Sequence, residues 1–174
     1  MDTNERRNEI LSMLQRASQP LSASHIASRF HVSRQIVVGD VALLRARGHQ
    51  ISSTPRGYLL QDTAENDSAF PFLGMIACCH NTSQLAEELY TIVDFGGCAI
   101  DVTIEHPIYG QLSGNLDIHS RYDTDVFLRQ VSLDSSRPLS DLTGGIHLHR
   151  IGCRDEETFL RICSALKEKG ILLE

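Results

Sequence analysis

Hydrophobic positions recur along this chain with two different periods, and each change of period marks a change of element. In residues 4–16, Ile10, Leu11 and Leu14 fall on one helical stripe that Ala17 continues. Pro20 ends that segment, and Ser22 is placed to cap a short second helix with Ile26 and Phe30 one turn apart. His31-Val32 reads as a turn. Ser33 then caps a third helix running to about Arg47, with Val37, Val41 and Leu44 at i, i+4 and i+7 and Gly48 as its stop. Residues 51–60 read as two short strands around Thr54-Pro55-Arg56-Gly57.

Residues 61–68 are polar and without period, so they read as a linker between a domain over 1–62 and another over 69–174. The second part opens with an apolar strand at 72–79 that ends at His80. Asn81 and Gln84 have capping-box spacing, and the helix that follows to about Asp94 carries Leu85, Leu89, Ile92 and Val93 on one face. Strands at 99–105 and 111–118 follow, then a helix over 121–131 and a loop over 138–143. A strand begins at Gly144-Gly145, a helix covers 155–169 with Gly170 as its cap, and 171–173 can close the sheet. The order β-α-β-β-α-β-α-β predicts an α+β domain with helices packed on a mixed sheet, behind an N-terminal winged helix-turn-helix. Period says nothing of strand order.

Charge sharpens the division. The chain of 174 residues has a formal net charge of -6, but residues 1–61 hold eight arginines against four carboxylates, a surplus of +4. A basic head on an acidic body is the electrostatic footprint of a nucleic-acid binder. In a helix-turn-helix the first turn of the second helix enters the major groove of double-stranded DNA. Ser33, Arg34 and Gln35 occupy that turn, with Val38 one turn further on the face of Arg34. Arginine pairs with guanine and glutamine with adenine, while Arg29, Arg45, Arg47 and Arg56 (the last at the wing tip) suit phosphates. The alternative is a helical bundle for protein contacts, with its arginines as solvated charge. No long apolar run opens or interrupts the chain, so neither a signal peptide nor a membrane span is expected. Five cysteines without a C-x-x-C pair fit reduced thiols in a cytoplasmic protein.

Candidate chemistry lies in the acidic body. In Gly144-Gly145-Ile146-His147-Leu148-His149 the strand period puts His147 and His149 on one side and Ile146 and Leu148 on the other. Paired imidazoles suit a d-block cation, although a bare H-x-H fits two solvent-facing histidines equally well. Glu88 falls on the buried stripe of its helix while Glu87 points to solvent, and a buried carboxylate needs a partner. With His80 these residues offer three nitrogens and a carboxylate, a set for zinc, nickel, iron or another divalent first-row ion. Spacing does not establish that they meet. Cys78 and Cys79 are nearer in character to small apolar residues.

Several runs resemble the niacin-responsive transcriptional repressors. In the head these are Val32-Ser33-Arg34-Gln35, Asp40 with Leu43-Leu44-Arg45, and Gly57-Tyr58. In the body they are His80 with Glu88, Glu88-Leu89 before Ile92-Val93-Asp94, Glu105-His106-Pro107-Ile108-Tyr109-Gly110, Pro138-Leu139, and Leu142-Thr143-Gly144-Gly145-Ile146-His147-Leu148-His149. The resemblance runs from about Glu5 to Leu173, and no candidate ligand departs from it. Gly39 is unusual inside a recognition helix and is expected to loosen it. The resemblance implies a cytoplasmic repressor, not an enzyme, that binds operator DNA as a homodimer. Nicotinic acid would be its co-repressor, and niacin uptake or NAD biosynthesis genes its targets. It also implies that His80, Glu88, His147 and His149 hold the metal in a three-histidine domain. His106 and Tyr109 are its candidates for the effector pocket, with Arg121 and Arg150 as carboxylate partners if they are not simply in surface ion pairs.

Three other readings compete. A metal-sensing repressor would take the ion itself as signal. A metal-dependent hydrolase would use the histidines as ligands and Glu88 as base, which leaves the arginine-rich head unexplained. A biotin-ligase-like protein also begins with a winged helix, but this body is short for one and lacks a Gly-rich Arg loop.

Overall fold

The structure, a computed structural model, describes residues 2–54, 57–60, 70–135 and 137–174. Arg56 and the linker expected over 61–68 lie outside the described residues. Three helices open the chain: α1 Thr3–Arg16, α2 Ala23–Phe30 and α3 Arg34–Ala46. Ser22 and Ser33 cap α2 and α3, their hydroxyls accepting from the amides of His25 and Ile36. His31 ends α2 in the left-handed region at φ 54°, which makes the tight turn between the two. Strands β1 Ile51–Thr54 and β2 Gly57–Leu60 pair antiparallel as the wing, and Leu21 bridges to Tyr58 as a third short edge. Ile10, Leu14, Ile26, Val37, Val41, Leu44, Ile51 and Tyr58 form the core of this head. The apolar stripes read from the sequence meet there.

The body follows with β3 Phe72–Cys79, α4 Leu85–Asp94, β4 Cys98–His106, β5 Gly110–Ile118, α5 Arg121–Leu133, β6 Ile146–Cys153 and α6 Glu156–Glu168. A 3-10 turn, Thr82–Gln84, precedes α4, and a second, Leu139–Thr143, fills the segment expected to be a loop. The class is α+β, as expected. The four-stranded sheet has the order β3-β6-β4-β5 and is antiparallel in every pairing rather than mixed. Hydrophobic period reports which face a side chain takes and carries no information on the direction of the neighbouring strand. The expected closing strand reduces to one bridge between Leu172 and Cys78.

Both faces of this sheet are covered. Ile76 and Cys78 of β3 with Ile151 and Cys153 of β6 pack under α4 and α6, joined by Leu89, Ile92, Ile162 and Leu166. The opposite face presents Ala77, Ile146 and Leu148 to Val38, Ala42 and Leu43 of α3. α3 is therefore buried from Val37 to Arg45, held by its own domain on one side and the body's sheet on the other. Gly39 lies in this contact: a side chain there would meet Ile146 and Leu173 at 3.8 Å, an ordinary packing distance. It sits where the helix approaches the sheet. Polar bonds rim the contact, with Asp40 taking Arg6 and Arg7, and Arg7 donating to the Glu174 carbonyl at 2.9 Å.

Candidate functional site

Four side chains from three separate segments converge inside the body. His80 leaves β3, Glu88 lies on the inner face of α4, and His147 and His149 alternate along β6. Glu88 is wholly buried, and the three histidines are nearly so. Gly145 makes the convergence sterically feasible. Its φ of +95° suits glycine, and a Cβ there would stand 2.4 Å from the His80 carbonyl oxygen. The backbone of His80 can thus lie against the entry to β6, one residue from His147.

The imidazoles point the same nitrogen inward. Nε2 of His80 lies 2.7 Å from Glu88 Oε2, and Nε2 of His147 lies 3.1 Å from Oε1. Nε2 of His149 is 3.4 Å from Oε1 and makes no hydrogen bond, a buried polar atom left without one. Each outer nitrogen meets a backbone carbonyl: Nδ1 of His80 on Asn81 at 2.8 Å, of His147 on Gly145 at 2.8 Å, of His149 on Asp101 at 2.6 Å. A carbonyl oxygen only accepts, so each ring carries its proton on Nδ1. In the neutral rings, three Nε2 lone pairs then face a carboxylate. Such a centre requires positive charge, as extra protons or as a cation.

The electrostatics agree. Burial alone would raise the Glu88 carboxyl, but the charge of His149 and the hydrogen bonds of His147 and His80 outweigh it and hold it well below the usual carboxylate range. Burial works against protonating His80 and His149, yet Glu88 raises both. The tautomers, the orphaned His149 nitrogen and the N₃O donor set fit a divalent d-block ion. Cys78 adds a donor that the sequence reading set aside as apolar: its sulfur lies with Glu88 and His147, the ligand atoms within 4.8 Å of one another. No periodic signal separates it from its apolar neighbours.

A cavity of about 680 Å³ opens onto His147 and His149, walled by Leu85 and Leu89 of α4, Leu116 of β5 and Phe127 and Val131 of α5. His106 and Tyr109, expected to line the effector pocket, are not in this wall. They stack on each other at the β4–β5 hairpin, centroids 5.0 Å apart, with His106 Nδ1 accepting from the Ile108 amide at 3.2 Å and Tyr109 largely exposed. Their motif builds the turn. Arg121 pairs with Asp94 and covers Tyr90, while Arg150 pairs with Asp101 at 2.5 Å. Among the described residues, the cation in the cavity wall is Arg137. It lies in a segment without period, where sequence offered no signal.

The candidate DNA-binding residues divide. Ser33 caps α3, Arg34 is half-buried beside it, and Arg29 and Arg47 are exposed. Gln35 is exposed, but its amide donates to the Thr143 carbonyl at 3.0 Å. Val38 is buried against the sheet and offers nothing to a groove. Arg45 is likewise turned inward, bonding the Ile51 carbonyl at 2.7 Å, Ser53 at 2.5 Å and Glu105 at 3.1 Å. It ties the wing to the body rather than meeting a phosphate. Helical spacing aimed Val38 at the groove and charge assigned Arg45 to a phosphate, but the body's sheet covers the first, and the wing together with Glu105 takes the second.

A winged helix-turn-helix head joined to a body with a buried three-histidine cluster defines a DNA-binding regulator, and comparison with known proteins agrees. Residues 6–59 match an HTH domain and residues 74–174 match the 3H domain. The chain is 39% identical over 170 residues to a probable transcription repressor NiaR of Thermotoga maritima, covering 98% of this chain and 94% of that one. It is 36% identical over 169 residues to the transcription repressor NadR of Bacillus subtilis, covering 97% and 93%. The chain belongs to this NiaR-type family of 3H-domain transcription repressors. It is thus a DNA-binding repressor, not an enzyme. No helix among the described residues is long and apolar enough to cross a membrane.

Proposed function

We propose that this repressor binds operator DNA as a homodimer with nicotinic acid as co-repressor, controlling genes of niacin uptake or NAD biosynthesis. A divalent ion would be held by His80, Glu88, His147 and His149. The observation that carries the reading is the apolar cavity ending on two of those imidazoles. A flat pyridine ring suits walls of Leu89, Leu116 and Phe127, and its carboxylate suits Arg137 at the rim. The ion would supply a Lewis-acidic point at the inner end, able to receive a carboxylate oxygen or a ring nitrogen.

The coupling to DNA follows from the alternation of β6. His147 and His149 face the cavity, while Ile146 and Leu148, on the opposite face, pack against Val38, Ala42 and Leu43 of α3. One strand thickness separates the effector from the helix that reads DNA. An effector that favours one seating of β6 therefore shifts the seating of α3 by its differential affinity. In the dimer, two copies of α3 would stand about 34 Å apart for successive major grooves.

Calorimetric titration of nicotinic acid into metal-loaded protein, repeated after chelation, tests the reading. Saturable binding that chelation abolishes is expected. Absence of binding in both states removes niacin, and protein that stays monomeric on operator DNA removes the dimer. The second reading is a metal sensor, favoured by the near-complete burial of the four donors. It requires operator affinity to track metal concentration with no organic ligand present.

A further inference from the structure

At the other end of β5, where the strand turns into α5, a second group of ligating side chains meets. Cys98 Sγ, Asp117 Oδ1 and His119 Nε2 lie within 4.8 Å of one another. The sulfur is 3.7 Å from His119 Nε2, and Asp117 Oδ1 is 2.8 Å from the same nitrogen. Local backbone irregularity produces this meeting. Pairing of β4 with β5 runs from Asp101↔Asn115 to Ala99↔Ile118, so β5 carries one extra residue. Within that bulge Asp117 takes φ +51°, in the left-handed region that aspartate enters more readily than most residues. His119 is held beside it, its amide donating to Asp123 Oδ2 at 3.0 Å and its ring stacked on Phe70 with centroids 6.0 Å apart.

Two chemistries use such a trio. A cysteine nucleophile with an imidazole base needs the carboxylate on the far ring nitrogen, as in a relay. Here the carboxylate and the thiol converge on one nitrogen. Burial, then the charges of Asp117 and Asp123, push the Cys98 thiol up to about 11, the opposite of an activated nucleophile. Convergence on one point is what a cation requires. With metal–sulfur and metal–nitrogen bonds of about 2.3 and 2.0–2.1 Å, tetrahedral ligands stand roughly 3.5 Å apart. The sulfur and nitrogen are already near that spacing. The Asp117 side chain, 82% exposed, is free to open by the remaining half ångström or so.

We propose that Cys98, Asp117 and His119 form a second site, distinct from the three-histidine centre, for a divalent d-block cation of the zinc class. Cys98 is buried, while the side chains of Asp117 and His119 face solvent, so three protein ligands leave a coordination position open to water. An ion there joins the first residue of β4, the bulge of β5 and the residue before the Ser120 cap of α5. Because α5 carries Phe127 and Val131, that clamp braces one wall of the cavity.

Titration of the full chain with Co²⁺, followed by absorption, tests the site directly. In a Cys78→Ser background, which removes the thiol beside Glu88 and His147, a thiolate-to-cobalt charge-transfer band is expected that the further change Cys98→Ser abolishes. That contrast separates this site from the centre holding Glu88 and His147. His119→Ala, at an exposed side chain, is expected to weaken the cobalt affinity read from that band at least tenfold. No thiolate band in the Cys78→Ser background, or one that survives the added Cys98→Ser, overturns the proposal.

Discussion

At the scale of single residues, the three imidazoles all have their protonation set from outside. Asn81, Gly145 and Asp101 each accept an Nδ1–H, and the side chain of Asp101 also takes Arg150. Under the proposed metal site, removing one imidazole removes one donor without disturbing the other two tautomers. His149→Ala is expected to lower zinc or nickel affinity more than tenfold, measured by competition with a chelating dye. The pH dependence has opposite signs with and without the ion. In chelated protein, the raised pKa values of His80 and His149 stabilise the fold below the ordinary imidazole value of 6.5, a contribution lost as pH rises through the folded values. The depressed Glu88 stabilises above its ordinary 4.5 and loses that contribution as pH falls through its folded value. Melting of the chelated protein should therefore peak in mild acid, between those two values, and decline toward alkaline pH. Loaded protein should instead gain stability up to neutrality, because the ion needs neutral imidazoles. Identical profiles in the two states would remove the metal centre.

At the scale of elements, β6 carries the most constraint per residue. Its even and odd positions are both buried, one set in the histidine centre and the other against α3. Its entry depends on Gly145, where φ is positive and a Cβ would meet the backbone of His80. Gly145→Ala is expected to cost about 1–3 kcal/mol from the conformation alone. It should also push His80 away from Glu88, so denaturant melts and metal affinity fall together. A loss of stability with metal affinity intact would separate the turn from the site. The Gly-Gly pair was visible in sequence as a turn, but its close approach to His80 was not. Sixty-odd residues intervene, and only the pairing of β3 with β6 brings the two together.

Across the whole molecule, the head and the body share a core through α3. Arg45 and Glu105 form a nearly buried pair on the rim of that contact, bonded also to Ser53 of the wing. Replacing Glu105 by alanine leaves the Arg45 charge without its carboxylate and is expected to cost about 1–3 kcal/mol. With the rim loosened, operator binding should depend less on the proposed co-repressor. Mobility-shift titrations with and without nicotinic acid measure that ratio, and an unchanged ratio would mean that the contact only holds the domains together. The arginine surplus of the head, which reads as a DNA face, is thus divided between two tasks. Arg29, Arg34 and Arg47 remain toward solvent at least in part, whereas Arg6, Arg7 and Arg45 serve the interior of the molecule.

What the sequence determined by itself is what depends on near neighbours in the chain. The apolar stripes of α1, α2 and α3, the serine caps, the burial of Glu88 and the shared face of His147 and His149 follow from helical and strand periods. Tertiary structure alone decided what those faces meet. The antiparallel order β3-β6-β4-β5, the convergence of His80 with β6, the cavity with Arg137, and the burial of Val38 and Arg45 all depend on segments far apart in the chain. Periodicity assigns a side chain to a face. It carries no information on which distant surface will cover that face, because that choice is made by packing across the whole fold.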